Sequence, residues 1–281
     1  MDPLEPVRFV KHGCVCFESD DTVVYVDPYK VPDDAHDADL IVITHSHGDH
    51  YSPEDIERVR KEDTCFATTA EVARLLERDF GIDDDYISEL SFEAPRIGFE
   101  CGAVLEPVAA ENKNHPVSFG FGLVLEFAGF TYYLSGDTDV LVDNVQCDVL
   151  FVVCDGIWNM PDYEKSVPAQ VAAMDVLPGL VVPYHYGVGA PSTKENGARL
   201  CGAVLTLWRN AAFHPSCRAL CKEGAFFVFS ALRFRLPDAV GLGQSRTFRL
   251  HQCRIFAAAV QAGITVQRVA VCAAHGKRAR H

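Results

Sequence analysis

The apolar run Leu40-Ile41-Val42-Ile43 leads directly into Thr44-His45-Ser46-His47-Gly48-Asp49-His50, and no other junction constrains this chain as strongly. Three imidazoles and a carboxylate fall within six residues. A short β-rich segment ending in such groups puts them at the carboxyl end of a strand, where the backbone leaves the sheet and side chains converge. Neutral imidazole nitrogen suits zinc, iron and manganese, and a neighbouring carboxylate extends the choice toward harder ions. His45 and His47 are two apart, so in extended chain they point the same way and grip one ion. Asp49 and His50 follow Gly48, which predicts a bend that turns them toward a second ion. Two metals sharing one water are a recurrent arrangement for hydrolysis. A merely histidine-rich polar loop would leave this spacing without a cause.

Such a site needs ligands from elsewhere, and three later residues are placed to supply them. His115 sits in Glu111-Asn112-Lys113-Asn114-His115-Pro116, a polar loop after a strand over 104–109, and Pro116 discourages a helix there. Asp137 ends the apolar run Tyr133-Leu134 at the turn Ser135-Gly136, and His185 ends the run Leu180-Val181-Val182-Pro183-Tyr184. Singly, each is more often a loop or partly buried residue than a ligand. Together, after the HxHxDH run, they form a pattern that accident rarely produces.

On these residues the chain resembles the metallo-β-lactamase superfamily, in the branch of small metal-dependent hydrolases similar to ascorbate-6-phosphate lactonase-like proteins. The likeness rests on His45 to His50, Asn114-His115-Pro116, Ser135-Gly136-Asp137-Thr138 and Pro183-Tyr184-His185-Tyr186-Gly187, and spans about residues 7 to 200. It implies that His45, His47 and His115 hold one divalent ion and Asp49, His50 and His185 a second, with Asp137 bridging. The ions implied are zinc, with manganese or iron as alternatives. Asp27 matches an aspartate that orients a ligand histidine in such proteins. A plain turn residue before Pro28 is the competing reading.

The resemblance implies an α/β (α+β) fold: an αββα sandwich of two mixed sheets flanked by helices, metallo-β-lactamase-like, with the metals at one sheet edge. The local pattern agrees. Strands are predicted over 9–17, 22–26, 40–44, 104–108, 120–126, 131–134, 149–153 and 180–182. Ser52 as N-cap and Pro53 at the first position predict a helix over 53–60, and apolar spacing predicts another over 69–80. A third helix is predicted over 168–177.

Composition bounds the rest. With 281 residues, 48% of them hydrophobic, the chain has material for a sizeable core. No apolar run approaches a membrane span, and the acidic start Met1-Asp2-Pro3-Leu4-Glu5 is unlike a secretory signal, which together predict a cytoplasmic protein without membrane contact. The 11 cysteines are scattered with no CxxC pair, so free thiols are expected rather than a disulfide framework. Cys14 and Cys16 alternate on one strand face and read as core or edge residues.

Charge divides the chain. Residues 1–200 carry 13 Lys and Arg against 37 Asp and Glu, whereas residues 201–281 carry 12 against 2, with no carboxylate after Asp238. We therefore expect a metallo-hydrolase domain over 1–204 and a basic, cysteine-rich extension over 205–281. That extension is either an appendage that binds nucleic acid or folds back on the acidic body, or the product of a shifted reading frame. The second is favoured, because the resemblance stops there and the arginines lie on no clean stripe. His214, His251, His275 and His281 lack ligand spacing and are assigned no function.

The function expected is hydrolysis of a small ester, lactone or phosphoester by a hydroxide held on the metals, with Asp49 and Asp137 as the catalytic carboxylates. An acidic body argues against a nucleic-acid groove, so a small molecule is the expected partner. A nuclease or phosphodiesterase is the alternative, as is an inactive or unstable product of the aberrant terminus. A redox role on the same fold, as in di-iron flavoproteins, is expected to place a glutamate where His47 stands and to bring a flavin-binding domain. Lys113, Trp158 and Tyr186 are expected to meet the substrate, Lys113 through an anionic group. The stretch Cys154-Asp155-Gly156-Ile157-Trp158 departs from the glycines and threonine usual in this branch.

Overall fold

The computed structural model describes residues 1–189, 192–210, 219–222 and 225–229, the side chains only as far as 206. The first sheet lays β1 (Val7–Lys11), β2 (Cys14–Ser19), β3 (Thr22–Val26), β4 (Ala38–Ile43), β5 (Arg60–Thr68) and β6 (Ile87–Glu89) side by side in chain order. The first three strands are antiparallel and β3 to β6 run parallel. Parallel neighbours need crossovers: the irregular segment 27–37 joins β3 to β4, α1 (Pro53–Val59) joins β4 to β5, and α2 (Ala70–Phe80) lies between β5 and β6. The second sheet contains β7 (Ile97–Gly98), β8 (Val104–Val108), β9 (Gly122–Phe127), β10 (Phe130–Leu134), β11 (Val149–Val153), β12 (Leu180–Tyr184), β13 (Ala219–Lys222) and β14 (Ala225–Phe229). Its spatial order is β13-β14-β12-β11-β10-β9-β8-β7, with β10 to β12 parallel. Helix α3 (Tyr163–Ala173) links β11 to β12, and α4 (Glu195–Asn210) follows β12.

Period-two burial explains why the layers stack this way. Leu40 and Val42 face the core between the sheets, with Val15, Phe17, Leu123, Tyr132 and Phe151. Ile41 and Ile43 face the other way and pack against Ile56 and Val59 of α1 and Val72 and Leu76 of α2. Strand β4 is thus buried on both faces, as parallel strands in layered folds are. Each fully buried Leu, Ile or Phe contributes about 1.5–3 kcal/mol. Val167, Val171, Leu200 and Val204 bring α3 and α4 onto the second sheet. The architecture is the αββα sandwich that the resemblance implied. Cys14 and Cys16 lie in the core under the helices.

Three expectations about elements need correction. The run over 9–17 is two strands, broken by a turn at His12-Gly13 in which His12 takes a left-handed φ of 57°. The helix expected over 168–177 runs from Tyr163 to Ala173. Tyr163, Val167 and Val171, four residues apart, supply its buried stripe, and Pro168 sits inside it at the loss of one backbone hydrogen bond. Strands β5, β6, β7 and β13 have no counterpart among the elements expected from sequence. Helices α1 and α2 begin as expected, with Ser52 and Thr69 accepting hydrogen bonds from Asp55 N and Val72 N.

The boundary expected at residue 204 falls inside α4. Strand β14 pairs antiparallel with β12, Val181 opposite Val228, so 225–229 continue the second sheet. Apart from 205–210, 219–222 and 225–229, the expected extension, with His214, His251, His275 and His281, lies outside the described residues. No described helix is long and apolar enough to cross a membrane.

Candidate metal centre

Parallel strands deliver the histidines and aspartates to one end of the sandwich. The HxHxDH run leaves β4, Asp137 lies just beyond β10, and His185 follows β12, all central strands rather than the sheet edge expected. The bend over 47–50 is a hydrogen-bonded turn, with His50 N and Tyr51 N donating to His47 O at 2.9 and 2.7 Å. Gly48 takes no left-handed φ, and a side chain there would meet nothing within 4 Å. The bend therefore does not need the glycine. Gly136 is different: its φ is 67°, and a Cβ would stand 2.9 Å from the Phe121 carbonyl, so only glycine fits before Asp137. His115 is set by an Asx turn in which Asn112 Oδ1 accepts from Asn114 N and His115 N at 2.6 and 3.2 Å.

All seven residues expected to hold metal meet at this point. One group of potential ligand atoms comprises His45, His47, His115 and Asp137, a second His50, Asp137 and His185, and a third His12, Asp49 and His185. Within each group the ligand atoms lie within 4.8 Å of one another. His45 Nε2 is 3.1 Å from His47 Nδ1, and His50 Nε2 is 3.1 Å from His185 Nε2. Asp137 Oδ1 stands 3.1 and 3.3 Å from the same two nitrogens of His185 and His50, and its Oδ2 is 3.9 Å from His45 Nε2. Asp137 thus belongs to both main groups. Asp49 Oδ2 is 3.6 Å from His185 Nε2 and 4.0 Å from His50 Nε2.

Tautomers decide whether these groups fit a cation. His50 Nδ1 lies 2.8 Å from Asp27 Oδ2, and His185 Nδ1 faces Asp155 Oδ2 at 3.5 Å. With His50 Nδ1–H donating to Asp27 and His185 Nδ1 turned toward Asp155, neutral rings would present both Nε2 lone pairs inward, beside Asp137 Oδ1. Lone pairs at 3.1 Å repel unless positive charge lies between them. Ligand nitrogens of a tetrahedral zinc ion, about 2.0–2.1 Å from the metal, are about 3.3 Å apart. Asp137 Oδ1, His115 Nδ1 and His185 Nδ1 are buried without a well-formed hydrogen bond. The residues present fit bound cations.

Electrostatics point the same way. Burial would lower His50 and raise Asp137, yet Asp137 and Asp27 carry His50 well above the usual imidazole range, while His185 and His50 hold Asp137 well below the usual carboxylate range. His185 is raised against its burial, chiefly by Asp137 and Asp155. Burial, then His50, holds His45 well below the ordinary value, and burial likewise lowers His115 and His12. The carboxylates favour positive charge at the His50/His185 end and the buried His45 imidazole stays neutral, as a ligand must.

Asp27 also accepts from Thr44 N and Thr44 Oγ1, both at 2.8 Å, so one buried carboxylate braces the His50 ring and the start of the ligand loop. Its own φ of 47° places it in a turn. Lys113, expected to meet an anion, donates instead to the Ile157 carbonyl at 2.6 Å. Tyr186 packs beside Gly197 of α4 and the core, away from the residues that line the mouth. Trp158 does line it, at the rim of an open pocket of about 360 Å³ that reaches His47, Asp49 and Asp137. A larger groove of about 720 Å³ runs over β8 and β9, but no histidine lines it.

Two residues of the site were not among those expected from sequence. His12 Nε2 lies 3.1 Å from Asp49 Oδ2, and the His12 carbonyl accepts from His185 N at 2.9 Å. Its signal is a His-Gly pair interrupting a strand pattern. Asp155 stands out in sequence only as a departure from the family pattern, and nothing local ties it to His185. His12, Asp27 and His185 all take left-handed φ, between 47° and 57°, a conformation held by surrounding contacts and common at functional sites.

The sandwich and its His/Asp cluster define a metal-dependent hydrolase of the αββα type. Residues 6–185 match the model of the β-lactamase superfamily domain, and the chain belongs to the metallo-β-lactamase superfamily. It is similar to a UPF0173 metal-dependent hydrolase of Staphylococcus carnosus (strain TM300), 28% identical over 201 residues, or 64% of this chain and 84% of that one. A solved structure from Parabacteroides distasonis ATCC 8503, described as a metal-dependent hydrolase, has a TM-score of 0.58 at 24% identity over 73% of this chain and 88% of its own. A di-iron β-hydroxylase from Streptomyces venezuelae shares the fold at 16% identity and a TM-score of 0.54, over 73% of this chain and 51% of its own. The fold therefore carries more than one chemistry, and the reaction must be argued from the site.

Proposed function

We propose that the protein hydrolyses a small ester, lactone or phosphoester with two divalent ions, zinc ahead of manganese or iron. His45, His47 and His115 would hold one ion, Asp49, His50 and His185 the other, and Asp137 would bridge. The observation that carries this reading is the pair of His50 and His185 Nε2 atoms 3.1 Å apart, their outer nitrogens turned to Asp27 and Asp155. Imidazole and carboxylate donors suit this choice of ions. When bound, the ions would polarise the scissile carbonyl or phosphoryl group and lower the pKa of an attacking water.

The chain's own groups supply the rest. Asp49 lines the pocket, where its carboxylate would hold the second ion and accept a hydrogen bond that orients the attacking water. His12 holds that carboxylate in place from behind, and against the effect of burial the His12, His50 and His185 imidazoles keep Asp49 well below the usual carboxylate range. A pocket of about 360 Å³ matches a small molecule rather than a polymer. Most of the described cysteines, Cys14, Cys16, Cys147 and Cys154 among them, are buried thiols, in keeping with a reducing, cytoplasmic setting.

The test is elemental analysis of the purified full chain alongside turnover of lactones, esters and phosphodiesters. Two ions per chain and hydrolysis are expected, with His45→Ala losing at least one ion and nearly all turnover. Unchanged metal content and turnover in His45→Ala would overturn the reading.

A further inference from the structure

The segment around Trp158 is tied at almost every backbone group, yet Trp158 itself is 62% exposed. Asp155 Oδ1 accepts from Ile157 N, Trp158 N and Asn159 N at 2.8, 2.8 and 3.2 Å. Asn159 Nδ2 returns to Asp155 Oδ2 at 2.8 Å, and Asn112 Nδ2 donates to Asn159 Oδ1 at 2.6 Å. The carbonyls are held as firmly: Lys113 Nζ donates to Ile157 O and Asn114 Nδ2 to Trp158 O at 3.1 Å. The 112–114 segment beside His115 is therefore laced to the 157–159 segment. A flexible loop would let the indole fold onto the surface and shed water. This one fixes the backbone that carries the ring, at the rim of the pocket that contains His47, Asp49 and Asp137.

We propose that Trp158 is a fixed platform for substrate, and that the substrate is an uncharged ester or lactone carrying a flat apolar group. An aromatic face presented in advance binds such a group without the entropic cost of ordering the loop. The same lacing engages the polar side chains nearest the rim without building a dedicated anion site. Lys113 directs its ammonium to a carbonyl, and Asn112 directs its amide to Asn159 and to the Asp137 carbonyl at 3.3 Å. Among the described residues lining the pocket there is no lysine or arginine. In the reaction, water adds to the lactone carbonyl, the ring C–O bond breaks, and the hydroxy acid leaves with both atoms of the former bond. This inference rests on the hydrolase reading and deepens it.

The test uses the full chain with its metals and three lactones: dihydrocoumarin, δ-valerolactone, which lacks the fused aromatic ring, and a carboxylate-bearing dihydrocoumarin. Binding is read separately, by quenching of Trp158 fluorescence with the lactam analogue of dihydrocoumarin in a Trp208→Phe background, since the chain has 2 tryptophans. We expect quenching, a KM for dihydrocoumarin about tenfold below that for δ-valerolactone, and a lower kcat/KM for the anionic compound. Trp158→Ala should erase the KM advantage with kcat nearly unchanged, and Trp158→Phe should keep most of it. Absence of quenching, or an unchanged KM in Trp158→Ala, overturns the proposal. So does a preference for the anionic lactone that Lys113→Met abolishes. Quenching with no hydrolysis of any lactone or ester would sink the hydrolase reading and leave the platform standing.

Discussion

The two main ligand groups share Asp137 but are braced differently. In the group of His45, His47 and His115, the neighbours are uncharged: the Thr44 hydroxyl lies 3.1 Å from His45 Nδ1 and the Asn112 amide 3.0 Å from His115 Nε2, and His47 is exposed. In the group of His50 and His185 every member is buried, and carboxylates stand behind both rings. A carboxylate behind an imidazole fixes its tautomer and raises its basicity more than a hydroxyl or amide does. Both ends reach the pocket, through His47 and His115 on one side and Asp49 and His185 on the other, but one is lightly braced and the other charge-braced, and the charge-braced end should hold its ion more tightly.

The largest effect should come from the residue the two ends share. Asp137→Ala should lower kcat by about a thousandfold and reduce the metal content at both ends. Steady-state kinetics with elemental analysis check this, and a variant that keeps two ions per chain would break the idea of a shared ligand. A smaller effect separates the ends. Asp155→Ala should weaken the more tightly held ion by about 10–100-fold in a chelator competition, whereas Asn112→Ala should weaken the other by about fivefold. Equal losses would remove the distinction between the two braces. The smallest should follow His12→Ala, where two ions are retained and kcat falls by about tenfold through a misplaced Asp49. Loss of an ion in that variant would make His12 a ligand in its own right.

The charge-braced end is half legible in the amino-acid order. Asp49 and His50 stand in the contiguous run, and His185 ends an apolar strand, so periodicity exposes both. Their supports do not stand out: His12 lies in a turn that interrupts a strand-like run, and Asp155 lies 30 residues before the histidine it faces. Lys113 departs from expectation for the same reason, since the carbonyl it meets is 44 residues away. The helix over 163–173 begins five residues earlier than expected because Pro168 suits a first turn by its own chemistry, whereas the burial of Tyr163 and Val167 outweighs the bond it loses inside the helix.

The amino-acid order alone determined which groups could bind cations and which strands would carry them, because ligand type, strand period and apolar runs are local properties of the chain. Only the tertiary structure decided how those groups pair, which nitrogens face inward, and that the backbone carrying Trp158 is fixed at the pocket rim. Those outcomes depend on contacts between β4, β10 and β12 and the loops beyond them, brought together by burial of the sandwich core rather than by neighbours in sequence.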